Sequence, residues 1–233
     1  METAKHPPLR LYGRRKGRPL HTRKKTLMQE LLPKLLITLK EGVHASPHEL
    51  FSDGGADAAP SRAPVWMEVG FGGGEHLAAQ AKRHPDVRFI GCEAFVNGVA
   101  GLLGHIDREK IENIRIFNND GRIMLDALTD ASIDRFFLLF ADPWPKKRHA
   151  ERRFIGPQNL DRLARVLKPG AVLRLASDHP SLIEWMRECL SIHSDFTCVY
   201  AHAAPPDDWV PTRYQKKAVT AGRPPFFMDY RRK

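Results

Sequence analysis

Two rhythms of apolar and polar positions run along the chain, and their order predicts a regular succession of elements. Short apolar runs at 65–69, 87–92, 114–117, 133–140, 171–176, 196–202 and 225–230 read as strands. Between them, helical spacing predicts helices over 75–83, 95–108, 121–128, 157–167 and 181–190, with an earlier one over 26–40. The run 133–140 is apolar enough for a central strand covered on both faces, and Lys168-Pro169-Gly170 reads as a helix stop. Strands alternating with helices imply an α/β fold, Rossmann-like, with a mostly parallel sheet and helices on both faces. No internal repeat interrupts the pattern.

Outside this pattern, residues 1–25 hold Pro7, Pro8, Gly13, Gly17 and Pro19 among nine basic residues, a composition expected to form a flexible tail. A helix-and-loop extension is expected over 26–64, its part from 44 rich in Gly, Ala, Ser, Asp and Pro. The main domain then occupies 65–233.

The formal charge of +10 is unevenly placed. Strips 1–25, 146–153 and 212–233 carry 21 Lys/Arg against 3 Asp/Glu, leaving 16 against 24 elsewhere. A single basic run is ordinarily a solvated face. Three around an acidic body suit a polyanion if they converge. The three cysteines are widely spaced and form no C-x-x-C pair, so neither a disulfide framework nor a metal site is expected. Gln29, Glu30, Pro33 and Lys34 interrupt the only long early apolar stretch, which excludes it as a membrane span. These features suggest a cytoplasmic protein.

After the first strand comes Glu68-Val69-Gly70-Phe71-Gly72-Gly73-Gly74, a glycine-rich turn where backbone N–H groups can approach a ligand. A dinucleotide fingerprint wants Gly or Ala three residues after Gly72; Glu75 stands there, unfavourable beside a pyrophosphate. An acidic Glu68 entering the turn suits a cationic ligand, and S-adenosyl-L-methionine carries a sulfonium and an ammonium but no phosphate. Glu93 ends the second strand, placed to accept both ribose hydroxyls. Asp120 ends the third, where it either reaches an adenine edge or caps a helix.

The fourth strand runs into Asp142-Pro-Trp-Pro-Lys-Lys-Arg-His149, then Arg152-Arg153. Its prolines stiffen the loop, so Asp142 and Trp144 would grip a planar base beside the donor while Lys146, Lys147, Arg148, Arg152 and Arg153 hold phosphates. An amino-group methyltransferase is the chemical competitor. Guanine N7 differs in having its lone pair free at neutral pH, so alignment matters more than a base.

These motifs, together with Gly91-Cys-Glu93, Asn119-Asp120, Leu167-Lys-Pro-Gly170, Ser177-Asp178 and Thr212-Arg-Tyr-Gln215, closely resemble those of the bacterial single-subunit tRNA (guanine-N7)-methyltransferases, in the same order over 68–215. The resemblance implies a class I methyltransferase fold with a seven-stranded sheet and a tRNA substrate methylated at guanine 46 of the variable loop. It implies donor binding by Glu68, Gly70, Gly72, Glu93, Asp120 and Asp142, with Asp142 catalytic. Substrate would meet Lys146, Asp178, Thr212, Arg213, Tyr214 and Gln215, with no metal and no obligatory protein partner. Gln215 stands where the family usually has Glu. Asp178, read alone before His179-Pro180, would be a helix cap.

Overall fold

The computed structural model describes residues 11–40, 42–51 and 62–233. Helices α1 (Thr22–Glu30) and α2 (Leu32–Leu35) lead into a seven-stranded sheet built from β1 (Val65–Val69), β2 (Arg88–Cys92), β3 (Ile114–Phe117), β4 (Ile133–Leu139), β5 (Leu167–Ser177), β6 (Phe196–His202) and β7 (Phe226–Arg232). Helices α3 (Glu75–Arg83), α4 (Val96–Glu109), α5 (Gly121–Ala127), α6 (Pro157–Val166), α7 (Pro180–Ser191) and α8 (Arg213–Thr220) connect the strands. The order is β3-β2-β1-β4-β5-β7-β6. The first five strands are parallel, and β7 runs antiparallel to both β5 and β6. Chain order reverses between β1 and β4, the switch point beside which open α/β sheets bind ligands.

The strand alternation sorts side chains between two faces. Phe136 and Leu138 of β4 join Met67, Ile90, Leu173 and Leu175 in the larger core, whereas Phe137 and Leu139 turn to Trp209 and Phe227 on the other face. Leu77, Phe89, Leu102, Leu103 and Ile116 build a further core with α1 and α2 over its rim.

The expected helix over 26–40 is instead two helices, because Pro33 has no N–H to give to residue 29 and its ring crowds that turn. Beyond them the chain is extended: Ile37 N–H donates to the Ile116 carbonyl at 2.8 Å, so these residues shield the outer edge of β3. The expected loop after 44 is also partly ordered by the bridge of Ala45 to Leu128 and the 3-10 turn Pro47–Phe51, while 52–61 lie outside the described residues. Lys168-Pro169-Gly170 does not separate α6 from a strand but lies inside β5 as an irregularity opposite Ile133 to Arg135, its Lys168 bonded to Asp134 at 2.8 Å. Among the described residues, no helix is long and apolar enough to cross a membrane.

Candidate active site and nucleic-acid surface

At the carboxyl ends of β1, β2 and β4 lies a cavity of about 400 Å³, a volume in the range of small-molecule sites. The glycine-rich turn forms one wall, and positive φ angles at Gly70, Gly72 and Gly74 shape it. Gly72, at φ +56°, also lies under the ring of Tyr214: a Cβ there would come within 3.1 Å of Tyr214 Cε2. From the other side α4 approaches backbone to backbone, since a Cβ on Gly98 would collide with the Gly72 carbonyl oxygen. Only glycine at both positions lets the turn and the helix close.

Glu93 is fixed at the lip of this turn. Its Oε2 accepts from Gly72 N–H at 2.8 Å and its Oε1 from Phe95 N–H at 2.9 Å, which leaves each oxygen a lone pair for a ligand hydroxyl. Burial raises its carboxyl above the ordinary glutamate value, opposed by N–H donors from Phe95, Gly72 and Ala94, while the nearby Asp142 adds to the rise. Asp142 is exposed and lines the same cavity. Asp120 lines it too and also caps α5, accepting Arg122 N–H at 3.0 Å while the Arg122 guanidinium holds both its oxygens at 2.6 to 3.1 Å. The two readings of Asp120 are therefore compatible, its cap realised in the structure and its carboxylate facing the cavity.

Glu68 is placed differently. Val69 faces the cavity, so the preceding side chain projects from the opposite side of β1, where Glu68 Oε2 lies 2.7 Å from His76 Nδ1. Both are buried, with His76 ringed by Phe137 and Trp209 at 5.1 and 6.0 Å. Glu68 thus ties β1 to α3 behind the turn. Glu75, the residue argued to repel a pyrophosphate, has its carboxylate over Gly73 at the start of α3, within 2.6 Å of where a Cβ on Gly73 would stand. The helix end that would cradle a phosphate is already occupied by an acid of the chain itself.

The loop after β4 begins and turns on strained backbone, with φ +55° at Phe140 and +42° at Trp144. Arg153 holds the second of these turns. This residue, expected on phosphates, is 8% exposed, donates from Nε and Nη2 to the carbonyls of Pro143 and Trp144 at 3.2 and 3.1 Å, and lies 5.0 Å over the Trp185 ring. Lys146, Lys147 and Arg148 are exposed as expected of a phosphate-facing strip. His149, against the edge of Trp144, is held below the usual histidine value by partial desolvation and then by Arg152, Arg148 and Lys146.

All three basic strips reach this cavity. Tyr12 and Arg14 line it from the first, Arg152 and Arg153 from the second and Tyr214 from the third. Residues 11–18, expected to be part of a flexible tail, are fastened to the start of α4: Gly17 N–H donates to Asn97 Oδ1 at 2.8 Å, Asn97 Nδ2 to Arg18 carbonyl at 2.7 Å, and Val96 N–H to Arg15 carbonyl at 2.9 Å. Residues 1–10 lie outside the described residues.

The remaining candidates flank the cavity. Thr212 Oγ1 caps α8 by accepting Gln215 N–H at 2.9 Å, and Gln215 Oε1 accepts Trp209 Nε1–H at 2.7 Å. Arg213 and Tyr214 are exposed on α8. Asp178 does not cap α7, whose N-cap is His179; its Oδ2 instead takes Arg223 Nε–H at 2.7 Å, just beyond α8. Helix α8 lies where apolar spacing predicts no helix, although Thr212-x-x-Gln215 has the form of a capping box. Only half the box is used here, because the Gln215 side chain turns to Trp209.

A seven-stranded sheet with one antiparallel strand near its edge, its acids gathered over a glycine turn at the switch point, defines a class I methyltransferase. An rRNA methylase from Streptococcus thermophilus has this fold with a TM-score of 0.50, 11% identity, and coverage of 72% of this chain and 86% of that one. A family model described as a putative methyltransferase matches residues 62–228. A tRNA (guanine-N(7)-)-methyltransferase of Paramagnetospirillum magneticum is 46% identical over 228 residues, covering 96% of this chain and 93% of that protein. The protein of that name from Granulibacter bethesdensis is 41% identical over 239 residues, covering 99% and 98%. The chain belongs to the tRNA (guanine-N7)-methyltransferase family.

Proposed function

We propose that the protein transfers a methyl group from S-adenosyl-L-methionine to N7 of a guanine in tRNA, at position 46 of the variable loop. The observation that carries this reading is the meeting of three basic strips at one cavity that also holds Glu93, Asp120 and Asp142. The relatives' names agree with it.

The residues fit this donor better than a dinucleotide. Glu93 has lone pairs left for two ribose hydroxyls, Asp120 and Arg122 face the adenine end, and Glu75 closes the helix end a pyrophosphate would need. When bound, the donor supplies an electrophilic methyl on a sulfonium that the guanine N7 lone pair can take. Asp142 orients the base through its N–H edge and offsets the positive charge that the ring acquires. No general base is required of the chain. Glu68 serves the donor indirectly, by fixing the turn through His76. Gly70 and Gly72 line the donor's bed.

On the RNA side, Lys146, Arg213 and Tyr214 are exposed where they can meet substrate, and Thr212, Gln215 and Asp178 hold the segment that presents Arg213 and Tyr214. Phosphate contacts should supply most of the affinity. The test is transfer of a labelled methyl group to unmodified tRNA, followed by mapping. Label on guanine N7 of the variable loop is expected; label on adenine N6 would overturn the reading.

A further inference from the structure

Methylation at N7 turns a neutral guanine into a planar cation, and the cavity mouth already holds a planar cation between two aromatic rings. The Arg152 guanidinium lies 5.0 Å from the Tyr12 ring centroid and 5.1 Å from that of Trp144. Those rings are 6.3 Å apart and inclined at 67°, an edge-on wedge whose walls come from the N-terminal strip and the Asp142 loop. Arg152 Nε is buried and has no hydrogen-bond partner among the described residues, so the π faces stand in for the partners a buried guanidinium ordinarily has. Each wall is positioned for this task. Trp144 sits on strained backbone whose carbonyl Arg153 holds, and the Tyr12 segment is fastened to α4 through Arg15, Gly17 and Arg18.

We propose that Tyr12 and Trp144 form the receptor for the reacting guanine, Arg152 being the chain's own occupant of that receptor, and that Tyr12 is a catalytic residue. The proposal rests on the guanine-N7 reading above. A neutral guanine gains stacking on one ring and van der Waals contact with the other. The charged ring gains the cation–π term in addition, so the wedge favours the transition state over the ground state. As the base enters, the guanidinium on its flexible stem moves out toward the phosphates. Two further cavity features favour this role: Asp142 stands beside Trp144 to share the positive charge, and both rings line the same cavity as Glu93.

The test is single-turnover methyl transfer to unmodified tRNA at saturating donor and tRNA, for the whole chain and its Tyr12→Phe and Tyr12→Leu variants. Phenylalanine keeps the π face and should stay within about twofold of the parent, whereas leucine should slow transfer by about tenfold. Affinity for tRNA should change by less than about threefold in both, because phosphates dominate it. A second measurement guards against a misplaced strip: binding of 7-methylguanosine monophosphate against guanosine monophosphate. The parent and Tyr12→Phe should prefer the methylated nucleotide, and Tyr12→Leu should lose that preference. Equal rates in all three proteins, or equal slowing by Phe and Leu with the preference intact, would overturn the role of Tyr12. Label mapped to a site other than guanine N7 in the parent protein would instead overturn the function on which it rests.

Discussion

Replacing Arg153 by Met separates a loop clamp from a phosphate ligand. The change keeps a long apolar stem over Trp185 but removes two bonds to the carbonyls of Pro143 and Trp144, at 3.2 and 3.1 Å. Hydrogen bonds from a charged donor contribute about 1.5–3 kcal/mol each, giving a gross loss of about 3–6 kcal/mol. Relief from burying a guanidinium returns part of this, since exchanging a buried charge for an apolar side chain is often nearly neutral. The two carbonyls left without a donor keep the balance unfavourable. A net destabilisation of about 2 kcal/mol follows by these terms, readable as a lower midpoint in urea unfolding. Because the strained Trp144 conformation is held by the clamp, transfer should slow by at least tenfold in single-turnover assays. The logarithmic salt slope of tRNA binding should not change, because a buried arginine neutralises no phosphate. A slope shallower by about one unit with unaltered unfolding would refute the clamp and return Arg153 to the phosphate surface.

Further outcomes follow from the same geometry. Glu93 accepts ligand hydroxyls as the carboxylate, and its raised value brings protonation on earlier as the pH falls; donor affinity measured by calorimetry should therefore weaken at a higher pH than an ordinary glutamate would allow, and Glu93→Gln should flatten the profile. Gly98→Ala places a methyl group against the Gly72 carbonyl and should weaken donor binding more than tenfold, while Gly104→Ala, with open space around it, should leave binding unchanged. Gln215→Glu keeps an acceptor for the Trp209 indole and should retain activity, whereas Gln215→Leu orphans that N–H in a mostly buried site and should lower the unfolding midpoint by an amount equivalent to about 1–3 kcal/mol.

Sequence pattern located most of the sheet because strands β1 to β4 combine compact apolar runs with helical spacing between them, and both signals are local. The failures are places where distant partners decide. Residues 36–39 have helical hydrophobicity, but Leu36 and Ile37 pair with Ile116 of β3, 79 positions beyond Ile37, for which no local pattern exists. The stretch 168–170 combines a basic residue, proline and glycine, yet the neighbouring β4 accommodates it as an irregularity. At the cavity, Glu93, Asp120 and Asp142 were legible because each lies within three residues of a strand's carboxyl end. Residues on the right strand can still face away, as Glu68 does, since one step along β1 reverses the side chain. Arg153 and its neighbour Arg152 look alike in the sequence. Only the three-dimensional surroundings make the first a clamp and the second an occupant of the aromatic wedge.

The fastening of residues 15–18 to the first turn of α4 redraws the working boundary of the protein. The family match spans 62–228, yet one wall of the cavity is supplied by Leu11, Tyr12, Gly13 and Arg14, about fifty positions upstream of that span. A chain begun at residue 62 would retain all seven strands but lose part of its reaction chamber. A substitution on the early strip would likewise act as an active-site change despite lying outside the domain that the sheet defines.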